Sequence, residues 1–286
     1  MPKPIIVSAA QVKKSLAGTS MARFINALGT TEQERNTEIE TLVREAQSEI
    51  ETQCSVHLIE TRIVSRSGAA GLTRRTAQAA GDYDKLEDAY TYHADDFTRG
   101  PVSVRLKKRP VVSIQGAALR WSSEAQGQLW RFPQDWMAPE ARLGHIHIVA
   151  LYGSGVARVN NGTLMLPILG GMMRSNAVPL LFSVAYTAGF LPYDFNPDED
   201  DLNDACPDFE EINMVAAGVK ALAALKILKN TRFAKGAGGG SVAIDGISQT
   251  HQAGRFQQEI ADLTKDVKDA KDSLKEFTGG VDFMIA

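Results

Sequence analysis

Cysteine is scarce in this chain of 286 residues, which contains only Cys54 and Cys206. Two cysteines are too few for a disulfide framework, so we expect a reducing compartment. The sequence does not decide whether Cys54 and Cys206 form a single disulfide. Basic residues are not in excess either: 31 Lys and Arg stand against 34 Asp and Glu, a formal net charge of −3. A sequence-independent nucleic-acid binder usually carries a basic excess, so the composition argues against that class.

Long hydrophobic runs are also missing from the sequence. No uninterrupted apolar stretch approaches the about 20 residues of a transmembrane helix, and the apolar part of the N-terminus is too short for a signal peptide. Hydrophobic residues make up 44% of the chain and charged residues 23%. This composition is typical of a globular protein and predicts a soluble intracellular chain with no membrane partner.

Two long helices are indicated by apolar spacing. Thr31 and Glu34 have the spacing of a capping box ahead of an apolar stripe, and they predict a helix at Glu32–Gln53. Ser8 is a good N-cap for a shorter helix before it. A second long helix is predicted from Ile212 to Leu228, and its apolar residues cover more than one face. We expect this helix to be deeply buried, mostly against Glu32–Gln53.

Between these helices the pattern changes to short alternating runs, which predict strands. The strands are expected near residues 56–63, 89–94, 102–106, 111–114, 146–152 and 180–187. Asn161-Gly162 predicts a hairpin turn, and Lys107–Pro110 predicts a basic turn. Helices on either side of a run of strands indicate an α+β fold. In it, N-terminal helices and a long buried helix pack together, with a β-rich middle insertion and a C-terminal helical arm.

The pattern divides the chain into five segments. These are residues 1–55, an N-terminal helical part of the core; 56–190, a β-rich region; 191–232, an acidic loop and the core helix; 233–254, a flexible glycine-rich joint; and 255–286, the C-terminal arm. A glycine-rich joint behaves as a flexible coil, so we expect the arm to be hinged on the core.

The C-terminal arm carries the most regular pattern in the chain. Its apolar residues recur at alternating steps of four and three, as at the a and d positions of a coiled coil. They are Phe256, Ile260, Leu263, Val267, Ala270, Leu274 and Phe277. A helix with one narrow apolar stripe has little reason to fold alone in water. We therefore expect these seven residues to bind a partner, and deletion of residues 240–286 to abolish attachment while the core stays folded.

Three patterns invite a chemical role and do not meet its requirements. The glycines at 236–240 follow a helix and lack the Lys-Ser or Lys-Thr of a phosphate loop. His145 and His147 point to one face of a predicted strand, but no spaced Cys or His supplies the further ligands of a tetrahedral metal site. Residues 194–211, which we call the acidic segment, hold nine Asp or Glu and no Lys or Arg, but they do not match a calcium-binding EF-hand loop. The sequence assigns no catalytic residue, no cofactor and no metal.

Five pieces of the chain follow one another in a characteristic order. They are a short helix at Ile6–Leu16, a Glu-rich helix at Glu38–Glu51, a basic-proline step at Val104–Ile114, a strand with a Tyr-x-Ala-Gly-aromatic end at Val184–Phe190, and an apolar helix at Ile212–Leu228. This order resembles the head-to-tail connector, or adaptor, proteins of tailed bacteriophages. Relative to the short members of that family, the middle region at about 67–178 is longer and the C-terminal arm is extra.

The resemblance implies a structural protein rather than an enzyme. It implies a ring of about twelve identical subunits in the virion neck, docked under the portal protein. Such a ring continues the DNA channel, lets DNA pass without specific binding, and offers a platform for the next neck or tail protein. The subunit would occupy the host cytoplasm during assembly, and no cofactor is expected.

Two other functions stay open from the sequence. A cytoplasmic oligomeric enzyme of unknown reaction would need a pocket with titratable groups, for which Asp82, His93 and His145 are the first candidates. A DNA-associated module would use Arg74–Arg75 and Lys107–Arg109, and its DNA affinity would fall steeply with salt.

Overall fold

The chain folds into two compact units. The structure is a computed structural model that describes residues 4–19, 21–66, 83–93, 102–120, 128–148, 177–234 and 248–279. We call Met1–Ile59 with Leu191–Ala286 the helical unit, and Glu60–Phe190 the β unit. The predicted α+β class, with a strand-rich middle region and a C-terminal helix, is confirmed. The predicted hairpin at Asn161-Gly162 and the joint residues 235–247 lie outside the described residues.

The helical unit contains six helices in its described ranges. They are α1 Ala9–Leu16, α2 Ala22–Ile25, α3 Glu32–Gln53, α4 Leu202–Ala205, α5 Ile212–Ala234 and α6 Ser248–Phe277. No helix among the described residues is both long enough and apolar enough to cross a membrane. The bounds of α3 are those predicted, whereas α5 runs beyond the predicted end at Leu228.

The start of α3 is fixed by the predicted capping box. The Thr31 hydroxyl accepts the Glu34 N–H at 3.2 Å, and the Glu34 carboxylate accepts the Thr31 N–H at 3.1 Å. The Thr30 hydroxyl also donates to Glu34 at 2.8 Å. This bond is the main cause of the lowered pKa of the Glu34 carboxyl, and the N–H groups of Thr31 and Thr30 add to it. Three backbone donors at this end, the N–H groups of Thr30, Thr31 and Glu34, are therefore satisfied, so the helix begins here.

In the core of the helical unit α3 packs on α5, but α5 packs more extensively on α6, so the prediction that α5 lies mostly against Glu32–Gln53 was wrong. The stripe of α3 is almost fully buried, and its members are Ile39, Leu42, Val43, Ala46 and Ile50. At the edge of the contact, Lys226 Nζ of α5 lies 3.0 Å from the Glu49 carboxylate of α3. Cys54 directly follows α3 and is buried, and it forms no disulfide with Cys206.

The strand predicted from Val56 begins only at Thr61, because the chain first turns back on the end of α3. Glu51 is buried, and its carboxylate accepts the Leu58 N–H at 3.0 Å. The same carboxylate lies 3.4 Å from His57 Nδ1. Residues 56–59 are all buried. The alternating pattern at residues 56–59 therefore belongs to a buried connection in the core and not to a strand.

The β unit contains nine strands in its described ranges. They are β1 Thr61–Arg66, β2 Lys85–Asp88, β3 Tyr90–His93, β4 Val102–Arg105, β5 Val111–Arg120, β6 Gln128–Arg131, β7 Met137–Glu140, β8 His145–Ile148 and β9 Ala177–Ala188. One sheet has the order β2-β1-β9-β5-β6, with β3 also paired to β9, and a smaller sheet has the order β4-β8-β7. β1 and β2 pair in parallel, and the other pairs are antiparallel. β9 is the long central strand, which explains why its run was readable in the sequence.

A buried carboxylate ties the first sheet to the basic turn. Glu87 of β2 is 9% exposed, and its Oε1 accepts the hydroxyls of Tyr90 at 2.7 Å and Tyr186 at 3.1 Å. The Tyr90 hydroxyl in turn accepts the Lys107 N–H at 3.0 Å. Burial raises the pKa of the Glu87 carboxyl, and the hydrogen bond from Tyr90 and the charge of Lys107 oppose that shift. The fold therefore favours the protonated form of Glu87.

Replacing Glu87 with glutamine is expected to change how stability depends on pH. The folded pKa of Glu87 is raised, so its stabilising contribution is present below the ordinary glutamate pKa of about 4.3 and is lost as pH rises through the raised value. Glutamine keeps the acceptor oxygen and carries no charge, so the variant does not lose this contribution. Urea unfolding between about pH 4 and pH 8 should show the stability of Glu87→Gln rising relative to wild type, and the exposed Asn230→Ala, which changes no titratable group, should show no such trend. A relative stability that falls with rising pH would contradict the assignment.

Candidate functional site

The predicted arm, α6, packs antiparallel against α5 of the same chain. Near the start of α5, the rings of Phe209 and Phe277 lie 4.6 Å apart between centroids. Two turns further along α5, Gly218 faces Ala270, which is two turns earlier in α6. A Cβ placed on Gly218 would lie 2.3 Å from Ala270 Cβ and 3.2 Å from the Asp266 carbonyl oxygen. The helices approach this closely only because position 218 has no side chain.

Residues of the same chain bury much of the apolar stripe of α6, which was expected to need a partner protein. Val267 is 7% exposed, and Ala270 and Leu274 are 0% exposed. Ile260, Leu263 and Phe277 are half-buried, and the side chain of Phe256 lies outside the described part of the structure. The expectation of an uncovered stripe on a free arm was therefore wrong for Val267, Ala270 and Leu274, because α5 offers a complementary surface of small residues. Binding of another protein by the seven residues stays a prediction.

The end of α6 also reaches the end of α3. Cys54 Sγ lies 3.9 Å from the Lys271 carbonyl oxygen. Thr278 is buried, and its hydroxyl donates to the Leu274 carbonyl oxygen at 2.8 Å. The C-terminal half of α6 is thus a core element of the helical unit, while Ile260 and Leu263 keep part of their surface open to solvent.

The acidic segment is an ordered loop that separates apolar from acidic side chains. Phe195, Cys206 and Phe209 are buried in the helical unit, whereas all nine Asp and Glu side chains are exposed. Its backbone is held by its own carboxylates: Asp200 accepts the Asn196 N–H at 2.7 Å, and Asp201 accepts the Asn203 N–H at 2.8 Å. The loop therefore presents a fixed negative surface.

Exposed apolar residues flank the acidic segment on both sides. Tyr193 precedes it and is 42% exposed, and Met214 follows it in the first turn of α5 and is 43% exposed. They are the two large hydrophobic residues that stand out as exposed among the described residues of the helical unit. Tyrosine and methionine are enriched in protein–protein interfaces, so this combination is typical of a docking surface.

The basic turn in the β unit is also held in a defined shape. Lys107 Nζ donates to the Asp88 carbonyl oxygen at 2.6 Å and lies 5.1 Å from the centre of the Tyr90 ring. Arg109 is buried beside Gly144, whose φ of 70° suits glycine. Arg74 and Arg75, the other predicted basic cluster, lie outside the described residues.

The candidate catalytic residues of the enzyme alternative are mostly not described. Asp82 lies outside the described residues, and so does the side chain of His93 on β3. His145 lies on β8, and its Nδ1 is 3.2 Å from the Ser103 hydroxyl of β4. Burial is the main cause that lowers the pKa of His145, Arg105 is a further cause, and the charge of Glu140 opposes the shift.

His145 and His147 lie on the same side of β8, as their spacing predicted. Ile146 and Ile148 alternate with them and are buried, whereas His145 and His147 are half-buried. Their rings lie 6.1 Å apart between centroids. The structure adds an acidic residue that the sequence pattern did not indicate, because Glu140 of β7 pairs with His145 in the sheet register. Its only sequence signal was a carboxylate a few residues before the histidines.

Two solved structures are similar to the chain over 80% of its length. One is a chain from the virion of a native gene transfer agent particle, with 15% identity, 84% of that chain covered and a TM-score of 0.31. The other is a chain from the neck of an empty gene transfer agent particle, with 14% identity, 84% of that chain covered and a TM-score of 0.34. No protein-family model and no curated protein matches the chain.

Proposed function

We propose that this protein is a structural head-to-tail adaptor of a tailed phage or a phage-like particle. In this role about twelve copies form a ring under the portal protein, continue the DNA channel and dock the next neck or tail protein. The work is mechanical and involves no substrate turnover.

The observation that supports this proposal is the order of the folded elements. The five pieces that resemble the adaptor family fall on α1, α3, the basic turn with β5, the end of β9, and α5. The first two and the last belong to one helical unit, in which α1, α3 and α5 contact one another. The β unit is an insertion between the helices, as a longer middle region requires.

The acidic segment, with Tyr193 and Met214, is the surface that we assign to contact between subunits. Its partner in the proposal is the basic turn of a second copy, where Lys107 is exposed and Lys108 is half-buried. Opposite charges on two different surfaces of one chain favour a head-to-tail contact, and such contacts close into rings when the rotation between subunits allows it. Any of this negative surface that faces the channel would repel DNA, which agrees with passage without specific binding.

The first half of α6 is the surface that we assign to the portal. Ile260 and Leu263 are half-buried by their own chain, so a docking protein has further apolar surface to cover there. In this proposal α6 is not a free arm. It stays folded on its own chain and contacts the portal through its first half. It needs no release of Leu274 from the core.

Charge reversal tests the subunit contact. Replacing Asp198 and Glu199 with lysine places like charges against the basic turn, which costs several kcal/mol across an interface. We expect assembly to weaken by about tenfold or more, since about 1.4 kcal/mol corresponds to a factor of ten. The readouts are mass photometry and negative-stain imaging of the purified protein, alone and mixed with the portal protein of the same genome.

A matched control and a compensating variant make the test specific. Lys265→Glu with Lys268→Glu changes two exposed side chains of α6, away from the proposed contact, and should leave assembly of the protein alone unchanged. Lys107→Glu with Lys108→Glu should impair assembly alone and restore it when mixed with the Asp198→Lys, Glu199→Lys protein. Equal assembly by all these variants would remove the acidic segment from the subunit contact.

A further inference from the structure

Two histidines and a glutamate meet on one side of the smaller sheet, where β7 and β8 pair. Each of Glu140, His145 and His147 offers a ligand atom, and these three atoms all lie within 4.8 Å of one another. His147 Nε2 is 3.1 Å from Glu140 Oε2. Two ligands come from alternate positions of one strand and the third from the neighbouring strand, so the sheet itself sets their spacing.

These distances suit a small divalent cation. Zinc bonds to histidine nitrogen and carboxylate oxygen at about 2.0–2.2 Å, which places neighbouring ligand atoms of a tetrahedron about 3.3–3.6 Å apart. The contact between His147 and Glu140 is already close to that separation, and the remaining separations need only small side-chain rotations to close. Imidazole and carboxylate together are a ligand set that zinc accepts.

The surroundings hold the ligands in place without closing the site. The Ser103 hydroxyl lies 3.2 Å from His145 Nδ1 and orients the ring, as partners of metal-binding histidines commonly do. The buried side chains of Ile146 and Ile148 anchor the strand from its other face. The side chain of His147 is 38% exposed and that of Glu140 is 43% exposed, so a hydrated ion can reach them.

We propose that Glu140, His145 and His147 bind one Zn²⁺ ion, with water completing the tetrahedron. The ion would cross-link β7 to β8 and stiffen the smaller sheet of the β unit. The site is independent of the proposed adaptor role, because it depends only on the local geometry of two strands. The Glu140 carboxylate gives the site a negative charge, which two neutral imidazoles alone would lack.

Metal titration of the full chain tests the site. We expect one equivalent of Zn²⁺ to bind in competition with a chromophoric chelator, and Co²⁺ to give the intense visible absorption of a tetrahedral site. His145→Gln, His147→Gln and Glu140→Gln should each weaken zinc binding by about 10–100-fold or more. Loss of a residue that only hydrogen-bonds to a metal ligand already costs that much, and each of these variants loses a ligand itself. The exposed Glu210→Gln is the matched control and should bind as wild type does.

Folding of the variants is checked separately by circular dichroism and thermal melting, which Zn²⁺ should shift upward only in proteins that keep all three ligands. The proposal is overturned by the absence of a stoichiometric site in the wild type, by the pale spectrum of octahedral Co²⁺, or by zinc affinity that the three replacements leave unchanged. In that case Glu140 and His147 form only a hydrogen-bonded pair. None of these results alters the test of the adaptor role, which measures assembly.

Discussion

Deleting residues 240–286 is expected to unfold the helical unit rather than to remove a dispensable arm. Burial of Val267 and Leu274 contributes about 1.5–3 kcal/mol each, and the deletion also uncovers the facing surface of α5. The sum approaches the whole stability of a typical domain, about 5–15 kcal/mol. We expect the truncated protein to aggregate on expression or to lose cooperative urea unfolding. This outcome reverses the expectation from the sequence alone, in which the core stays folded.

Single replacements in α6 test the contribution of this helix to stability one side chain at a time. Leu274→Ala removes a fully buried side chain and should lower the free energy of unfolding by about 2–5 kcal/mol. Lys275→Ala changes the next residue, which is exposed, and should stay within about 0.5 kcal/mol of wild type. Chemical denaturation measures both. Equal stability of the two variants, or wild-type stability of the truncated chain, would show that α6 does not belong to the core.

Replacing Gly218 with alanine is expected to destabilise the protein, although alanine is the better helix former. In a helix that packs on nothing, the change should stabilise by about 1 kcal/mol. Here the new methyl group would collide with Ala270 Cβ at 2.3 Å and press on the Asp266 carbonyl oxygen. Overpacking of this kind costs about 1–3 kcal/mol, and neither atom belongs to a flexible side-chain end. The sign of the change in unfolding free energy therefore reports whether α5 and α6 are in contact.

A second replacement tests whether the collision is with Ala270. Ala270→Gly removes the opposing methyl group, so the double variant should recover part of the stability that Gly218→Ala loses. The coupling energy from the double-mutant cycle should lie at about 0.5–3 kcal/mol. Asn230→Ala, at an exposed position of α5, controls for helix propensity and should not destabilise. A coupling energy of zero would contradict the close approach of the two helices.

The helical frame was readable from the sequence because its signals are local. The capping box of Thr31 and Glu34 and the stripe from Ile39 to Ile50 each depend on residues at most one or two turns apart. The burial of α5 was readable as well, because its apolar residues cover more than one face. These patterns gave correct bounds for α3 and the correct burial of α5, although α5 packs mostly on α6 and not on α3.

The partner of α6 was not readable, because a heptad stripe shows that a helix needs a surface and not which surface it meets. The small residues around Gly218 permit the close approach of another helix, but α5 was expected to pack mostly against α3. Only the three-dimensional arrangement places Ala270 against Gly218. A match between a small-residue face and a narrow stripe in the same chain was the available signal.

The carboxylate of the histidine cluster was missed for a different reason. β7 contains Pro139, which lowers its strand propensity, and no strand was expected there. The structure places β7 at the edge of its sheet, where proline is tolerated, and the register then sets Glu140 opposite His145. Cross-strand neighbours depend on register, and a short strand with proline carries little register information in its sequence.

The adaptor role is tested most directly by imaging the purified full-length chain by negative stain, alone and with the portal protein of the same genome, alongside mass photometry. We expect closed rings of identical subunits, either free or seated on the portal, and particle masses that are multiples of one chain. Particles that stay single chains under both conditions, with no density added to the portal, would contradict it.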